Sequence, residues 1–351
     1  MAHRSGGMEL MSVSVIAGPD AGAVIEKLGG VTLFEPSSGS KPAEIVTQLK
    51  TIAEKGETAH LVIQCEIERP LMAYAFLFAD ELASVARLTS AAFAIDSATL
   101  LDLLLDRKAT SLSVCLIAEQ IEFASDIFLG NANGADCDLA RSITLSLNPR
   151  ARVGAAARID RETTFDFEQA VNAAGWRSLL DGEPSRSGGK VTAFACCARR
   201  PFHPERFSSL LQKGLAGVFR AKGFFWLATR MDDVGGLNLA GSELQCASAG
   251  HWWATRDPQT RECEMPERTR KQWQEPFGDR RQSFAILAFG VDRDALQHQL
   301  EECLLTDQEM ALGEEVWCNF PDPFPLWGAH SHSHAHQCDH DHGSHEHDCC
   351  G

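Results

Sequence analysis

HLVIQC, residues 60–65, and AAFAID, residues 91–96, are stretches in which small and aliphatic side chains follow one another with little polar alternation. A strand with apolar side chains on both faces is typical of a parallel sheet, because helices cover both faces of such a sheet. Residues 71–88, which lie between the two stretches, have the composition of a helix. A strand, a helix and a strand in this order predict a parallel α/β sheet.

The same alternation extends to both sides of these stretches. Residues 12–16 (SVSVI) form a β-branched run that ends in the turn residues AGPD, 17–20. The other predicted elements of this half are helices over residues 43–54, 98–105 and 112–123 and strands over residues 126–129 and 143–147. We therefore expect a doubly wound parallel sheet over residues 1–180.

A Gly-, Ser- and Pro-rich stretch, DGEPSRSGGK at 181–190, then divides the chain. Beyond it, the pattern predicts strands over 191–198, 224–229, 239–248 and 283–290 and helices over 204–219 and 294–304. This order indicates a small α+β domain of the ferredoxin-like kind. Six of the seven tryptophans follow Arg200, so this domain is expected to have an aromatic core or contact surface.

The charge balance limits the classes of partner. The chain has 351 residues with 48 acidic and 32 basic side chains, which gives a formal net charge of −16. Such a balance opposes binding to nucleic acid or to an anionic membrane and favours cations as partners. No uncharged apolar run reaches about 18 residues, and residues 1–10 have no apolar signal core. We therefore expect a soluble, cytoplasmic protein.

The C-terminal residues, 329–351, form a tail with a composition of their own. They hold eight of the thirteen histidines, three cysteines and four acidic residues, and no Lys or Arg. With almost no apolar side chain to bury, this tail is expected to be disordered. Imidazole and thiolate groups bind zinc, with nickel, cobalt and copper as alternatives. The predicted metal ligands are His330, His332, His334, His336, Cys338, His340, His342, His345, His347, Cys349 and Cys350.

A purification tag is the alternative interpretation of these histidines. Ser, Asp, Cys and Glu interrupt the run, whereas tags are usually uniform, and this argues against a tag.

Cys196, Cys197 and His203 could form a second metal site if the strand and the turn that carry them meet. Adjacent residues on a strand point to opposite faces, so at most one of the two cysteines could contribute. Ordinary packing is the simpler interpretation, and the sequence leaves the question open.

Five segments of the second half carry a family resemblance: ARRPFHPERF (198–207), AKGFFWLATR (221–230), FGDRRQSFAILAFG (277–290), LEECLLTDQEM (300–310) and DPFPLW (322–327). Their sequences and their order resemble the C-terminal domain of the CobW family. Members are GTP-binding proteins associated with cobalamin synthesis, metal delivery and zinc homeostasis. The resemblance implies a P-loop GTPase-like domain over 1–180, a linker over 181–190, a CobW C-terminal-like domain over 191–328 and a metal-binding tail over 329–351.

The first half is similar to the same family mainly in its framework. The segments that carry this similarity are HLVIQCEIERPL (60–71), FAIDSATLLDLL (93–104), AEQIEFASDIFLGN (118–131) and FDFEQAVNAAGW (165–176). The resemblance implies a nucleotide site at the end of the first strand. A P-loop needs a Gly-rich turn of backbone amides, a Lys on the phosphates and a Ser or Thr on Mg²⁺. The turn here retains Gly18 and Gly22 but has no Lys-Thr pair, and Pro19 and Asp20 oppose a phosphate.

Two further positions that the resemblance assigns to the nucleotide also differ. The family's guanine-reading Asn-Lys-x-Asp corresponds to residues 130–133, where Asn131 and Asn133 stand; an amide oxygen at Asn133 cannot accept both guanine hydrogen bonds. Gln64 takes the place of an acidic residue and cannot act as a charged partner of Mg²⁺. The family's Cys-x-Cys-Cys metal motif is absent. GTP and Mg²⁺ are therefore not expected to bind, and no catalytic residue is predicted.

Three functional hypotheses follow. The first is a CobW-like pseudo-GTPase in zinc homeostasis that acts as metal buffer, adaptor or chaperone. The second is an active GTP-dependent zinc metallochaperone with an unrecognised nucleotide site. The third is an interaction protein that docks a metalloenzyme or a paralogue of the CobW family.

Overall fold

The computed structural model describes residues 10–56, 58–105, 110–131, 135–154, 159–183 and 190–327. The predicted metal-binding tail, from residue 329 onward, and most of the predicted linker therefore lie outside the described residues. Among the helices that are described, none is long and apolar enough to cross a bilayer.

The first half forms a six-stranded parallel sheet in the order β2-β3-β1-β4-β5-β6. Its strands are β1 Met11–Ala17, β2 Thr32–Phe34, β3 His60–Gln64, β4 Ala86–Asp96, β5 Asp126–Gly130 and β6 Arg152–Gly154. Its helices are α1 Ala21–Ile25, α2 Pro42–Lys55, α3 Leu71–Ala79, α4 Ser97–Leu104, α5 Val114–Phe123, α6 Ala135–Leu147, α7 Phe167–Val171 and α8 Gly175–Leu180. The predicted parallel α/β fold is confirmed.

The continuous apolar run of β3 is buried on both faces of this sheet. Leu61 and Ile63 belong to the large core on one side, and Val62 to a smaller cluster with Ile16 on the other. All three are fully buried, which is why the strand has no polar alternation.

Two predicted elements of this half are wrong. The helix predicted over 71–88 ends at Ala79, and β4 already begins at Ala86. The strand predicted over 143–147 is the last part of α6, in which Ala140, Ile143 and Leu147 are buried at helical spacing. A short β-branched run does not by itself distinguish a buried strand from a buried helix.

The second half forms a five-stranded antiparallel sheet in the order β10-β9-β8-β11-β7. Its strands are β7 Val191–Ala198, β8 Val218–Phe225, β9 Asp233–Ala240, β10 Glu243–His251 and β11 Gln282–Phe289. Its helices are α9 Pro204–Lys213, α10 Pro258–Glu264, α11 Glu267–Lys271, α12 Arg293–Glu301, α13 Asp307–Leu312 and α14 Glu314–Trp317, with a 3₁₀ turn at Trp253–Thr255.

Strand β11 lies between β7 and β8, which α9 connects, and this is a split βαβ unit of the ferredoxin-like kind. The predicted α+β layer is confirmed. The single strand predicted over 239–248 instead contains the end of β9, the hairpin turn at 241–242 and most of β10. The helix predicted over 204–219 ends at Lys213, and Phe219 belongs to β8.

Candidate functional site

In open parallel sheets, ligands bind at the carboxyl ends of the strands where the strand order reverses. Strand β1 lies between β3 and β4, so the loops that follow these three strands meet at that edge. Four of the residues that the sequence assigns to a degenerate nucleotide site lie at or next to the ends of these strands or of β5, namely Gly18, Gly22, Gln64 and Asn131. This edge is therefore the candidate functional site.

The turn after β1 is packed directly against β4. Only three residues, Gly18, Pro19 and Asp20, separate β1 from α1. The φ angle of Gly18 is +111°, and a Cβ atom at this position would lie 2.2 Å from the carbonyl oxygen of Ala94. Glycine is therefore required by both the conformation and the contact.

Two backbone amides at this turn already have hydrogen-bond partners. The N–H of Asp20 donates to the carbonyl oxygen of Ala94 at 3.3 Å, and the N–H of Ala21 donates to that of Gly18 at 3.2 Å. Pro19 has no N–H to offer. A P-loop instead points a series of free amides at the phosphates. The helix that follows the turn, α1, has only five residues. The turn is therefore closed at the place where a P-loop holds phosphate.

Gly22 and Gln64 lie side by side at this edge. A Cβ atom at Gly22 would lie 4.0 Å from Nε2 of Gln64. Gln64 is the last residue of β3 and pairs with Ile16 of β1. The fold thus brings Gly18, Gly22 and Gln64 to the end of β1 and β3, but it provides an uncharged amide where the family has an acidic group.

Asn131 serves a structural contact in the described fold. Its Nδ2 donates to Oδ2 of Asp96 at 2.5 Å, while Oδ1 of Asp96 accepts the N–H groups of Ala98 and Thr99 as the N-cap of α4. Its φ angle is +47°, a left-handed conformation that Asn tolerates better than most residues. The side chain therefore links the end of β5 to α4. Asn133 lies outside the described residues.

Two contacts at this edge were not predicted from the sequence. Oε1 of Glu66 accepts the N–H of Gly39 at 3.0 Å, and Nη2 of Arg69 donates to the carbonyl oxygen of Ser40 at 2.6 Å. They join the loop after β3 to the loop before α2. The only sequence signal for these two contacts is the presence of Glu66 and Arg69 shortly after the buried strand β3.

Cys196, Cys197 and His203 do not form a metal site. Cys196 packs against the core of its domain, and burial raises the pKa of its thiol to about 12. Cys197 is exposed, and the ring of His203 stacks on Phe320 with the centroids 4.9 Å apart. Within the described ranges, no three His, Cys, Asp or Glu side chains are placed to hold a metal ion. The predicted ligands of the tail lie outside those ranges.

Comparison with known proteins shows what the second half is similar to. Residues 191–304 match the family described as the cobalamin synthesis protein cobW C-terminal domain. We use the label CobW C-terminal domain for the antiparallel-sheet domain that contains this match. The resemblance inferred from the sequence is confirmed over this range.

Two relatives of the chain have zinc in their names. Zinc-regulated GTPase metalloprotein activator 1 of Dictyostelium discoideum is 33% identical over 230 residues, which is 61% of this chain and 48% of that protein. Zinc chaperone Rv0106 of Mycobacterium tuberculosis is 33% identical over 220 residues, which is 59% of this chain and 53% of that protein. The chain therefore spans about half the length of these relatives.

A solved structure with some likeness to the chain is the Zn(II)-bound YjiA GTPase from E. coli. The alignment covers 85% of this chain and 100% of that one, at 11% identity and a TM-score of 0.35.

A buried ion pair joins the CobW C-terminal domain to the α/β sheet domain. Nε of Arg220 on β8 contacts Oε1 of Glu122 on α5 at 2.6 Å, and Nη2 contacts Oε2 at 3.1 Å. The remaining Nη1 donates to the side chain of Asn238 at 2.6 Å and to the carbonyl oxygen of Leu239 at 3.0 Å. Arg220 is fully buried and Glu122 nearly so. Because each charge is paired and hydrogen-bonded, this contact fixes how β8 meets α5.

Proposed function

We propose that this protein is a CobW-like zinc-binding protein of metal homeostasis, acting as a metal buffer, adaptor or chaperone, whose α/β domain is a pseudo-GTPase. The observation that carries the proposal is the closed turn after β1. Its amides bond to Ala94 and Gly18, and a phosphate would have to displace both contacts. The absent Lys-Thr pair and the amide of Gln64 remove the charged groups that GTP and Mg²⁺ need.

Zinc is the expected ion for two reasons. The tail, residues 329–351, provides eight imidazoles and three thiols in a stretch with four acidic residues and no Lys or Arg. Two relatives are named for zinc. Nickel, cobalt and copper share the same ligand chemistry and are the alternatives. A metalloenzyme or a paralogue of the family is the expected protein partner.

A reducing compartment such as the cytoplasm suits this proposal. The nine cysteines in the described part of the chain are all free thiols. Disulfides form and persist mainly in oxidising compartments, and zinc needs thiols in the reduced form.

Zinc dialysis tests the role of the tail. Full-length protein and a 1–329 truncation are dialysed to equilibrium against buffered zinc, and bound metal is counted by mass spectrometry. We expect the full chain to bind at least one zinc ion more per molecule than the truncation, because each ion needs about four of the tail's ligands. An equal count in both proteins would contradict the tail as the zinc site.

The competing function is an active GTP-dependent zinc metallochaperone. It is favoured by the position of Gly18, Gly22 and Gln64 together at the edge where nucleotide sites of this sheet order lie. The nucleotide titration at the end of the Discussion separates the two functions.

A further inference from the structure

A cavity of about 200 Å³ opens at the seam between the α/β domain and the CobW C-terminal domain. Its walls come from α3, α5, α7, α8 and β8. Met72, Leu116 and Val171 contribute apolar wall, and Lys222 contributes the end of its side chain from β8. The cavity is separate from the edge at the end of β1.

The apolar surface continues outside the cavity. Phe76 lies one turn beyond Met72 on α3, and Val171 lies one turn beyond Phe167 on α7, so each pair shares a helix face. The rings of Phe76 and Phe167 are 5.6 Å apart. Phe76 is 38% exposed and Val171 is 37% exposed, although both are large apolar residues. Contiguous exposed apolar surface beside a cavity is a common feature of protein-binding sites.

Gln120 lines this cavity with an acceptor that has no partner. Its Nε2 donates to the carbonyl oxygen of Ile67 at 3.0 Å, whereas its buried Oε1 has no hydrogen-bond partner among the described residues. Rotation of the amide would place two carbonyl oxygens against each other, so the Ile67 contact fixes the orientation. Leaving a buried acceptor unpaired costs about 1–3 kcal/mol. A ligand with an N–H group would remove this cost.

Arg177 lines the same cavity and has no carboxylate within ion-pair distance among the described residues. Its guanidinium lies 4.6 Å from the ring of Trp176. Glu119 and Glu122, which also line the cavity, pair with Lys222 at 2.5 Å and with Arg220 at 2.6 Å. Burial lowers the pKa of Arg177 more than the charges of Glu122 and Asp181 raise it, as expected for an incompletely compensated charge.

We propose that this cavity docks a short acidic segment of a partner protein. The segment inserts one large aliphatic side chain between Met72 and Val171, donates a backbone N–H to Oε1 of Gln120 and places a carboxylate against Arg177. The proposal adds the chemistry of the partner to the proposed function, but it rests on neither zinc nor nucleotide. An apolar small molecule would fill the cavity and leave both Gln120 and Arg177 unpaired, which is why a peptide with a carboxylate is the better match.

A random library of 12-residue peptides displayed on phage tests the proposal. It is selected against the full-length protein, freed of metal with EDTA and without nucleotide. We expect the enriched peptides to share a Leu, Ile or Met with an Asp or Glu within three positions. Failure to enrich any peptide, or enrichment without the acidic residue, would overturn the proposal.

The strongest peptide is then synthesised, together with an analogue in which an amide replaces the carboxylate. Val171→Asp should weaken binding at least tenfold, whereas Leu312→Asp, at an exposed apolar position on α13, should change it less than twofold. Arg177→Gln should weaken binding of the acidic peptide about five- to tenfold and leave binding of the amide analogue unchanged. Equal effects of the two Asp variants, or equal effects of Arg177→Gln on the two peptides, would overturn the proposal.

Two readouts keep this test apart from the zinc proposal. Val171→Asp should retain the zinc count of the unmodified chain, and the 1–329 truncation should retain peptide binding. Sedimentation of the full chain tests whether a second copy of the chain occupies the cavity. Dimerisation that depends on concentration and that Val171→Asp abolishes would assign the cavity to a second copy. This result would overturn the acidic-peptide proposal.

Discussion

His60 shows at the scale of one residue how burial sets a protonation state. It begins β3, is 5% exposed, and its Nε2 lies 3.2 Å from the hydroxyl of Ser14. Its Nδ1 has no partner in the described structure. Burial, with a smaller contribution from the charge of Arg161, lowers the pKa of His60 to about 4. The imidazole is therefore neutral in the folded protein at every pH above that value.

This neutral histidine makes stability depend on pH. The unfolded chain takes up a proton below its pKa of about 6.5, and the folded chain does so only near 4, so stability is lost as pH falls between the two. We expect the unmodified protein to lose about 2 kcal/mol more than His60→Gln between pH 7 and pH 4.5. Urea unfolding of both proteins at the two pH values measures this difference. Parallel losses in the two proteins would show that His60 is not held neutral by burial.

Some residues of the candidate site could be predicted from the sequence, and others could not. Gly18, Gly22 and Gln64 are recognisable from their spacing and from the family resemblance, and the fold places them at the expected edge. The contacts between the loop after β3 and the loop before α2 depend on how the two loops approach each other in space. The sequence could therefore not predict that Glu66 binds Gly39 or that Arg69 binds Ser40. The same holds for the cavity with Gln120 and Arg177, because its walls come from five separate elements.

The turn after β1 is the element on which the proposed loss of nucleotide binding rests. It reverses the chain in three residues and lies so close to β4 that only a hydrogen atom fits at the α-carbon of Gly18. A phosphate cradle cannot open there without breaking the contact to Ala94. The closed turn is thus a property of backbone geometry as well as of lost side chains.

A substitution tests how tightly this element is packed. Gly18→Ala should lower the free energy of unfolding by about 3 kcal/mol or more, because the methyl group meets a backbone oxygen and the φ angle is positive. Gly39→Ala is the matched control, with a φ angle of +76° and open space around the α-carbon, and should cost about 1 kcal/mol. Urea titration measures both variants. Similar small losses would mean that the turn is not pressed against β4.

Elements also show why part of the fold was predictable. The runs at β3 and β4 are long, apolar and unambiguous, and the structure confirms both as buried parallel strands. The strand predicted over residues 143–147 was wrong because four of these five residues are β-branched or aliphatic, and such a short run suits a buried helix as well as a strand. The β9–β10 hairpin could have been predicted, because Gly241-Ser242, the two residues between its strands, are a known turn signal.

At the scale of the whole molecule, two sheets of different kinds share one interface. The parallel sheet and the CobW C-terminal domain meet through the ion pair of Arg220 and Glu122, with both charges out of water. Removal of one partner from such a buried pair strongly destabilises a protein. The interface therefore favours one fixed arrangement of the two domains. The family resemblance predicted the two domains and their order, whereas this pairing across about 100 residues of sequence could not be predicted from either half.

The central claim is that this scaffold no longer binds GTP. The most direct test of this claim is isothermal titration of the full-length chain with GTP and excess Mg²⁺. The titration is run at two temperatures, because binding with zero enthalpy at one temperature gives no heat signal there. We predict no saturable binding up to millimolar GTP, with or without zinc. A dissociation constant in the micromolar range would contradict the closed turn and would favour the competing function of a GTP-dependent metallochaperone.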